Sequence, residues 1–242
     1  MDADWRKRIQ ITLIIFLVLA GVRVGIIFYE RSHESEIQKP QPVPSSSYNI
    51  TLDDYVTPHK LFPYDLKSAK EIVGKTVWVR AGNRVTYYPY STATHSVNLS
   101  HSAGLLEPLE KLEVKDVIQQ NVSGQKQVMV AFAKAVAPAQ YAVSVGKVSG
   151  GSYDFFINEI FFVDDPHQLY NHWPPEVWDA IDHHQVKPGM SELQASFALG
   201  INMRVTGGDY GNRTVQYVIG DQTTMVTFSG NKAESIEPGP KP

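Results

Sequence analysis

The sequence contains no cysteine. That excludes structural disulfides, cysteine-ligated zinc, iron–sulfur clusters and a lipid-modified N-terminal cysteine, so folding rests on packing alone. A strong excess of either charge is lacking too: 22 Lys and Arg stand against 25 Asp and Glu, a formal net charge of -3. With no long basic run, nucleic acid is not an expected partner. The chain has no GxSxG elbow, no phosphate-binding P-loop and no HExxH pair, and so no motif for serine, phosphoryl or zincin chemistry.

What is present starts at the N-terminus. Arg6, Lys7 and Arg8 precede a stretch, Ile9 to Tyr29, dominated by Ile, Leu, Val, Phe, Ala and Gly. It is long enough to cross a bilayer, which takes about 20 apolar residues. The flanking charges put the N-terminus in the cytoplasm and the rest of the chain outside, giving a single-pass inner-membrane protein with periplasmic or otherwise extracytoplasmic domains. Val18-Leu19-Ala20 offers the small residues of a cleavage site. The apolar run nevertheless continues to Tyr29, a span that suits a bilayer helix better than a signal-peptide core. Arg23 lies toward the outer end, where its side chain can snorkel to the headgroups. Gly21 and Gly25 form a small-xxx-small pair through which two copies could pair as a homodimer. The expected partners are therefore the lipid bilayer, through residues 9–29, and an envelope protein.

The fold class expected beyond the anchor is α+β. Residues 1–31 read as cytoplasmic stub and transmembrane helix, and 32–70 as a Pro/Ser-rich linker. Residues 71–165 read as a β-rich domain, 166–237 as a mixed module and 238–242 as a disordered tail. Within the linker, "SHESEIQKPQPVPSSS" is polar and proline-rich without hydrophobic periodicity, while Tyr48 to Leu66, with scattered aromatics and prolines, has no assignable element but is compatible with lying along the β-rich domain. From Ile72 to Val163 short strands recur: "KTVWVR" and "RVTYYPY" across Gly82-Asn83 as a hairpin, then "KLEVKDVI", "KQVMVAF", "QYAVSVGKV" and "YDFFINEIFFV". This spacing predicts a small barrel or sandwich. Along the strand from Gln140, Tyr141, Val143 and Val145 share one face, and Ala142 and Ser144 the other. "GLLEPLEKLEVKDV" loosely resembles bacterial Src-homology-3-like barrels.

In the last third, "PPEVWDAIDHHQ" predicts a short helix with Pro175 in its first turn and Val177, Trp178 and Ile181 on one face. A second helix follows in "VKPGMSELQASFALG", capped by Ser191, striped by Met190, Leu193 and Phe197, and stopped by Gly200 in a left-handed conformation. "TVQYVI", "TTMVTF" and "KAESI" then predict a three-stranded meander. The order helix, helix, three strands, together with Gly189-Met190-Ser191, Gln194, Leu199 and Gly200, resembles the BamE/SmpA-like family of envelope modules. The closing "VQYVIGDQTTMVTFSGNKAESI" is similar to that family's last hairpin. The best-known members are lipoproteins that help outer-membrane barrel assembly, whereas this chain has no cysteine and has Ile201-Asn202 where a proline usually follows Leu-Gly. The resemblance implies the fold and a non-catalytic envelope role.

Chemistry-bearing residues gather at the junction of the two regions: Asp164, Asp165, His167, His172, His183 and His184. Histidine with carboxylate can ligate zinc, which makes Asp164, His167, His172 and His184 the candidate metal ligands of an alternative reading, a metal-dependent envelope hydrolase. Adjacent His183 and His184 point apart on a helix, and "DDP" reads as a turn. The favoured reading of this cluster is a solvated hinge with no metal, no cofactor and no catalytic residue. A further alternative is a cell-wall-binding module, in which Trp78, Tyr87, Tyr88 and Tyr90 stack on sugar or peptide.

Overall fold

The computed structural model describes residues 17–29, 50–135 and 137–240, in two compact units divided after Ile50. In the first, residues 17–29 form helix α1 with Leu17, Val22, Ile26 and Phe28 exposed. A side chain at Gly21 or Gly25 would meet nothing within 4 Å. Residues 9–16 of the expected membrane span lie outside the described residues, and so do residues 30–49. Among the described residues, no helix is long and apolar enough to cross a membrane.

The second unit is an α+β body of antiparallel sheets. Its first sheet comprises β1 (Thr76–Val79), β2 (Thr86–Ser91), β3 (Ser96–Val97), β4 (Gly104–Leu105), β5 (Lys111–Val122), β6 (Gln125–Lys134), β7 (Ala137–Ser149), β8 (Ser152–Phe155) and β9 (Phe161–Phe162). The order is β3-β2-β7-β6-β5-β1-β9, with β4 on β2 and β8 on β7. The end strands β3 and β9 do not pair with each other, but the sheet curls so that β3 meets β5, with Val97 N donating to Gln120 Oε1 at 2.7 Å and Gln120 Nε2 donating to Val97 O at 2.8 Å. Bulges at Val114/Asp116 and Val128/Met129 interrupt its long strands, and bulges bend a sheet locally.

Alternation sorts the side chains as expected. Val128, Val130, Phe132, Val143 and Val145 enter the main core with Val77, Val79 and Leu112. Met129, Ala131 and Ala142 go to the opposite face, where Tyr90, Val97 and Ile118 cover them. The expected hairpin of β1 with β2 is not formed: β1 pairs with β5 and β9, and β2 with β7, β3 and β4. The chain at Gly82-Asn83 is committed elsewhere. Gly82 O accepts from Ile201 N at 3.0 Å, Asn83 N donates to Leu106 O at 2.7 Å and Asn83 Nδ2 donates to Leu199 O at 2.9 Å. "YDFFINEIFFV" is likewise not one strand, because β8 and β9 flank helix α3 (Ile157–Ile160).

After short helices α2 (Leu66–Ala69) and α4 (Pro166–Leu169), the C-terminal region holds α5 (Pro175–Asp182), α6 (Glu192–Leu199) and a second sheet. Its strands are β10 (Met203–Thr206), β11 (Thr214–Ile219), β12 (Gln222–Ser229) and β13 (Lys232–Pro238), in that order. It has four strands rather than three. β10 arises because the backbone continues extended through Asn202, whose O accepts from Val218 N at 2.8 Å.

Close to the expected boundary at 165/166 the buried residues pass from a main cluster that ends at Phe161 to a C-terminal one that starts at Phe162. Phe162 is buried in the C-terminal cluster, and Trp78 and Leu109 pack against it. The expected linker also ends early, since residues 51–70 are folded onto the body with Leu61 and Leu66 against the main core and Val56 against the C-terminal one. Within the expected tail, Gly239 N donates to Thr223 O at 2.8 Å and Thr223 Oγ1 donates to Pro240 O.

The Gly-Met-Ser turn is structural. Gly189 has φ 87°, and Gly189 and Met190 clamp Ala233 through Gly189 N to Ala233 O at 2.9 Å and Ala233 N to Met190 O at 2.8 Å. Ser191 Oγ accepts from Gln194 N at 3.2 Å while Gln194 Oε1 accepts from Ser191 N at 2.9 Å, a reciprocal capping box. Gly200 stops α6 at φ 84° and ψ -174°. That is not the expected left-handed helical conformation but a region essentially restricted to glycine.

Candidate functional site

The junction residues do not converge. Asp164 Oδ2 accepts from His59 N at 2.8 Å. Asp165 caps α4, accepting from His167 N at 3.0 Å. The His167 ring stacks on Trp178 at 4.0 Å, with Asp165 3.3 Å from Nδ1 and Asp182 3.2 Å from Nε2. Carboxylates on opposite edges of one imidazole cannot share a metal ion with it. His172 Nε2 donates to Asp53 at 2.6 Å, His183 Nδ1 to Asp179 O at 2.7 Å and His184 Nδ1 to Ala198 O at 3.1 Å. Each histidine thus has its own acceptor. Among the described residues, no group of three metal-ligating side chains exists.

Beneath them lies an aromatic stack. Tyr170 and Trp173 are 4.5 Å apart, Trp173 and Trp178 5.1 Å, and Phe197 meets Phe162, Tyr170 and Trp173 at 5.7, 5.1 and 5.2 Å. These rings glue α5 and α6 to the edge of the first sheet. Of Trp78, Tyr87, Tyr88 and Tyr90, which the cell-wall-binding alternative would use for stacking, Tyr87 is in the main core and Tyr90 in the outer cluster, while Trp78 and Tyr88 are partly buried against cores.

What the junction holds is a strap, residues 51–64. Asp53 is largely buried and needs partners; His172 and Trp173 Nε1 both donate to its Oδ1 at 2.6 Å. Asn158 imitates a strand partner for Leu61, accepting from Leu61 N at 2.8 Å and donating to Leu61 O at 2.7 Å. With Val56 and Leu61 turned inward, the remaining apolar side chains face solvent: Leu52 is 64% exposed, Tyr55 73%, Phe62 83% and Tyr64 78%. Phe62 also lines an open cleft of about 460 Å³ with Lys60, Arg80, Tyr153, Phe155 and Glu159. Tyr153 and Phe155 stack at 5.6 Å. Arg80 Nη1 donates to Asn158 O at 2.9 Å, which holds the guanidinium at the rim.

Sequence reasoning missed Asp53, Asn158, Phe62 and Tyr64. One signal was available: a disordered linker is poor in aromatic and β-branched residues, whereas 52–64 carries Leu52, Tyr55, Val56, Leu61, Phe62 and Tyr64.

A second polar cluster was also missed. Tyr90 Oη donates to Asp116 Oδ2 at 2.7 Å and His95 Nδ1 to the same oxygen at 3.0 Å, while Val117 N donates to Oδ1 at 2.8 Å. Burial pushes the Asp116 pKa up, but the bonds from Tyr90, His95 and Val117 outweigh it and hold the carboxyl below its usual value. Burial and the neighbouring Asp116 carboxylate push the Tyr90 phenol up. A depressed folded-state pKa adds stability above the unfolded value of about 3.9, and that stability is lost as pH falls through the lower folded value. Asp116→Asn is therefore expected to be less stable than the parent at about pH 6, with the gap closing toward about pH 3. Urea unfolding at both pH values checks this. A gap independent of pH would place the effect in packing rather than charge.

Comparison with protein-family models, curated proteins and solved structures gave no match.

Proposed function

We propose that this chain is a non-catalytic, membrane-anchored protein of the cell envelope that holds a partner protein on the strap 51–64 and its adjoining cleft. The observation that carries the reading is a set of four large apolar side chains, Leu52, Tyr55, Phe62 and Tyr64, exposed on a segment fixed by part-buried polar anchors. Contiguous exposed apolar surface marks interaction sites, and aromatic residues are enriched at protein interfaces. A fixed strap also loses little conformational entropy on binding, which favours affinity. Lys60, Arg80 and Glu159 supply polar contacts at the rim of the cleft.

Residues 9–29 supply the anchor in this reading, with the N-terminus cytoplasmic and the body outside, and Gly21 and Gly25 give two anchors a surface for close approach. The likeness of 189–236 to BamE/SmpA-like modules supports scaffolding within an envelope complex. No cofactor is involved. A photo-reactive amino acid placed at Phe62 in intact membranes is expected to yield a discrete protein adduct. No adduct from the strap, under conditions where the protein is folded and membrane-bound, would remove it as the docking face.

A further inference from the structure

The second sheet ends on two unlike edges. β13 carries Lys232, Glu234, Glu237 and Pro238 and meets β12 through a register irregularity at Thr227/Phe228, features that discourage further strand pairing. β10 has β11 on one side only, is exposed along its whole length, and contains no proline, lysine or bulge.

Its hydrogen-bonding phase can be worked out. Val218 N donates to Asn202 O at 2.8 Å, so Asn202 and Val218 form a hydrogen-bonded pair. Antiparallel alternation makes Arg204–Gln216 the next such pair. Met203 and Val205 therefore turn their N–H and C=O groups away from β11. Their side chains oppose Tyr217 and Val215, and directly opposed residues share a face. Tyr217 and Val215 are fully buried, whereas Met203 is 38% and Val205 44% exposed. The apolar face of the sheet thus runs past the margin of its own core.

We propose that two copies of this chain pair β10 to β10 about a two-fold axis at Val205, joining their C-terminal sheets into one. An axis normal to the sheet preserves its faces, so paired residues must come from the same face. Two central registers meet this condition, Arg204 on Arg204 or Val205 on Val205. The first sets like charges directly opposite, which is destabilising. The second sets Arg204 against Thr206 of the second copy and lets the outward N–H and C=O of both Val205 residues exchange hydrogen bonds. It also brings Met203 and Val205 of each copy together on the core side. The strand ends at Gly207-Gly208, both with positive φ, so the contact is short, below the roughly 1,200 Å² of a stable interface. The association is therefore weak, and trapping suits it better than equilibrium sizing.

The absence of cysteine makes trapping clean. In the paired state the two Val205 Cα atoms stand about 5.5 Å apart, within disulfide range, while the two Arg204 Cα atoms stand about 8 Å apart, outside it. Under mild oxidation the full chain carrying Val205→Cys is expected to form several-fold more disulfide dimer than Arg204→Cys. Mixing Arg204→Cys with Thr206→Cys should give the mixed dimer. Melting curves matching the parent establish that each variant is folded. A Val205→Cys yield no higher than that of Arg204→Cys or of a Glu234→Cys control, with no mixed dimer, overturns the pairing. A general rise from pairing of α1 would lift all variants together and overturns it equally.

Discussion

Arg213→Ala is expected to remove about 3–5 kcal/mol of folding stability, the usual consequence of stripping the partner from a buried charge. Glu192, at the start of α6, is only 2% exposed. Its carboxylate accepts from Gly211 N at 2.8 Å and from Arg213 Nε and Nη2 at 3.0 and 2.6 Å. This lock ties α6 to the loop between β10 and β11, and Asn231 continues it by accepting from Glu192 N at 3.2 Å. Without the guanidinium a charge stays buried with one amide for company. Glu192→Gln combined with Arg213→Met should recover much of the loss, because replacing a buried ion pair as a unit is often neutral. Tyr217→Phe should be neutral or stabilising, since the buried Tyr217 hydroxyl has no hydrogen-bond partner among the described residues. Urea unfolding of the three variants measures this. An Arg213→Ala midpoint equal to that of the parent would mean that the lock contributes nothing.

Phe197→Ala should have an effect of the same size. The ring is 7% exposed and packed among Phe162, Tyr170 and Trp173, and truncating a buried phenylalanine costs about 3–5 kcal/mol. A domain has about 5–15 kcal/mol in total, so a large fall in melting temperature is expected. Gly200→Val should also be severe: a side chain there would collide with the Gly82 carbonyl, and the backbone at φ 84° is hostile to branched residues. Gln194→Ala, by contrast, opens one side of the capping box and should cost about 1 kcal/mol. A Phe197→Ala protein melting like the parent would contradict the placement of this core.

Much of this packing was legible in the residues. Ser191, Phe197, Leu199 and Gly200 announce a capped, buried and sharply ended helix, and the alternation of Tyr141 to Val145 gives the correct faces. Alternation specifies a face but not a neighbour, which is why "KTVWVR" and "RVTYYPY" suggest a hairpin that the Gly82-Asn83 contacts with α6 preclude. Long-range polar pairs leave still less trace. Glu192 reads as an ordinary acid at a helix N-terminus, and its burial depends on Arg213 in a glycine-rich loop. Asp53 finds His172 and Trp173 well over a hundred residues away. The junction histidines drew attention because histidine and aspartate are chemically versatile. In the structure Asp165 caps α4, His183 and His184 bond to backbone carbonyls, and His172 holds the strap through Asp53.

The most direct measurement is position-resolved photo-crosslinking in intact membranes, with the probe placed in turn at Tyr55, Phe62, Tyr64 and Tyr153, and at Glu234 on the far edge strand as control. If the strap and cleft form the docking face, the strap and cleft positions give one common adduct, Glu234 gives none, and Tyr64→Ser weakens the Phe62 adduct without lowering the melting temperature. Equal labelling at all positions, or adducts only at Glu234, would contradict the account.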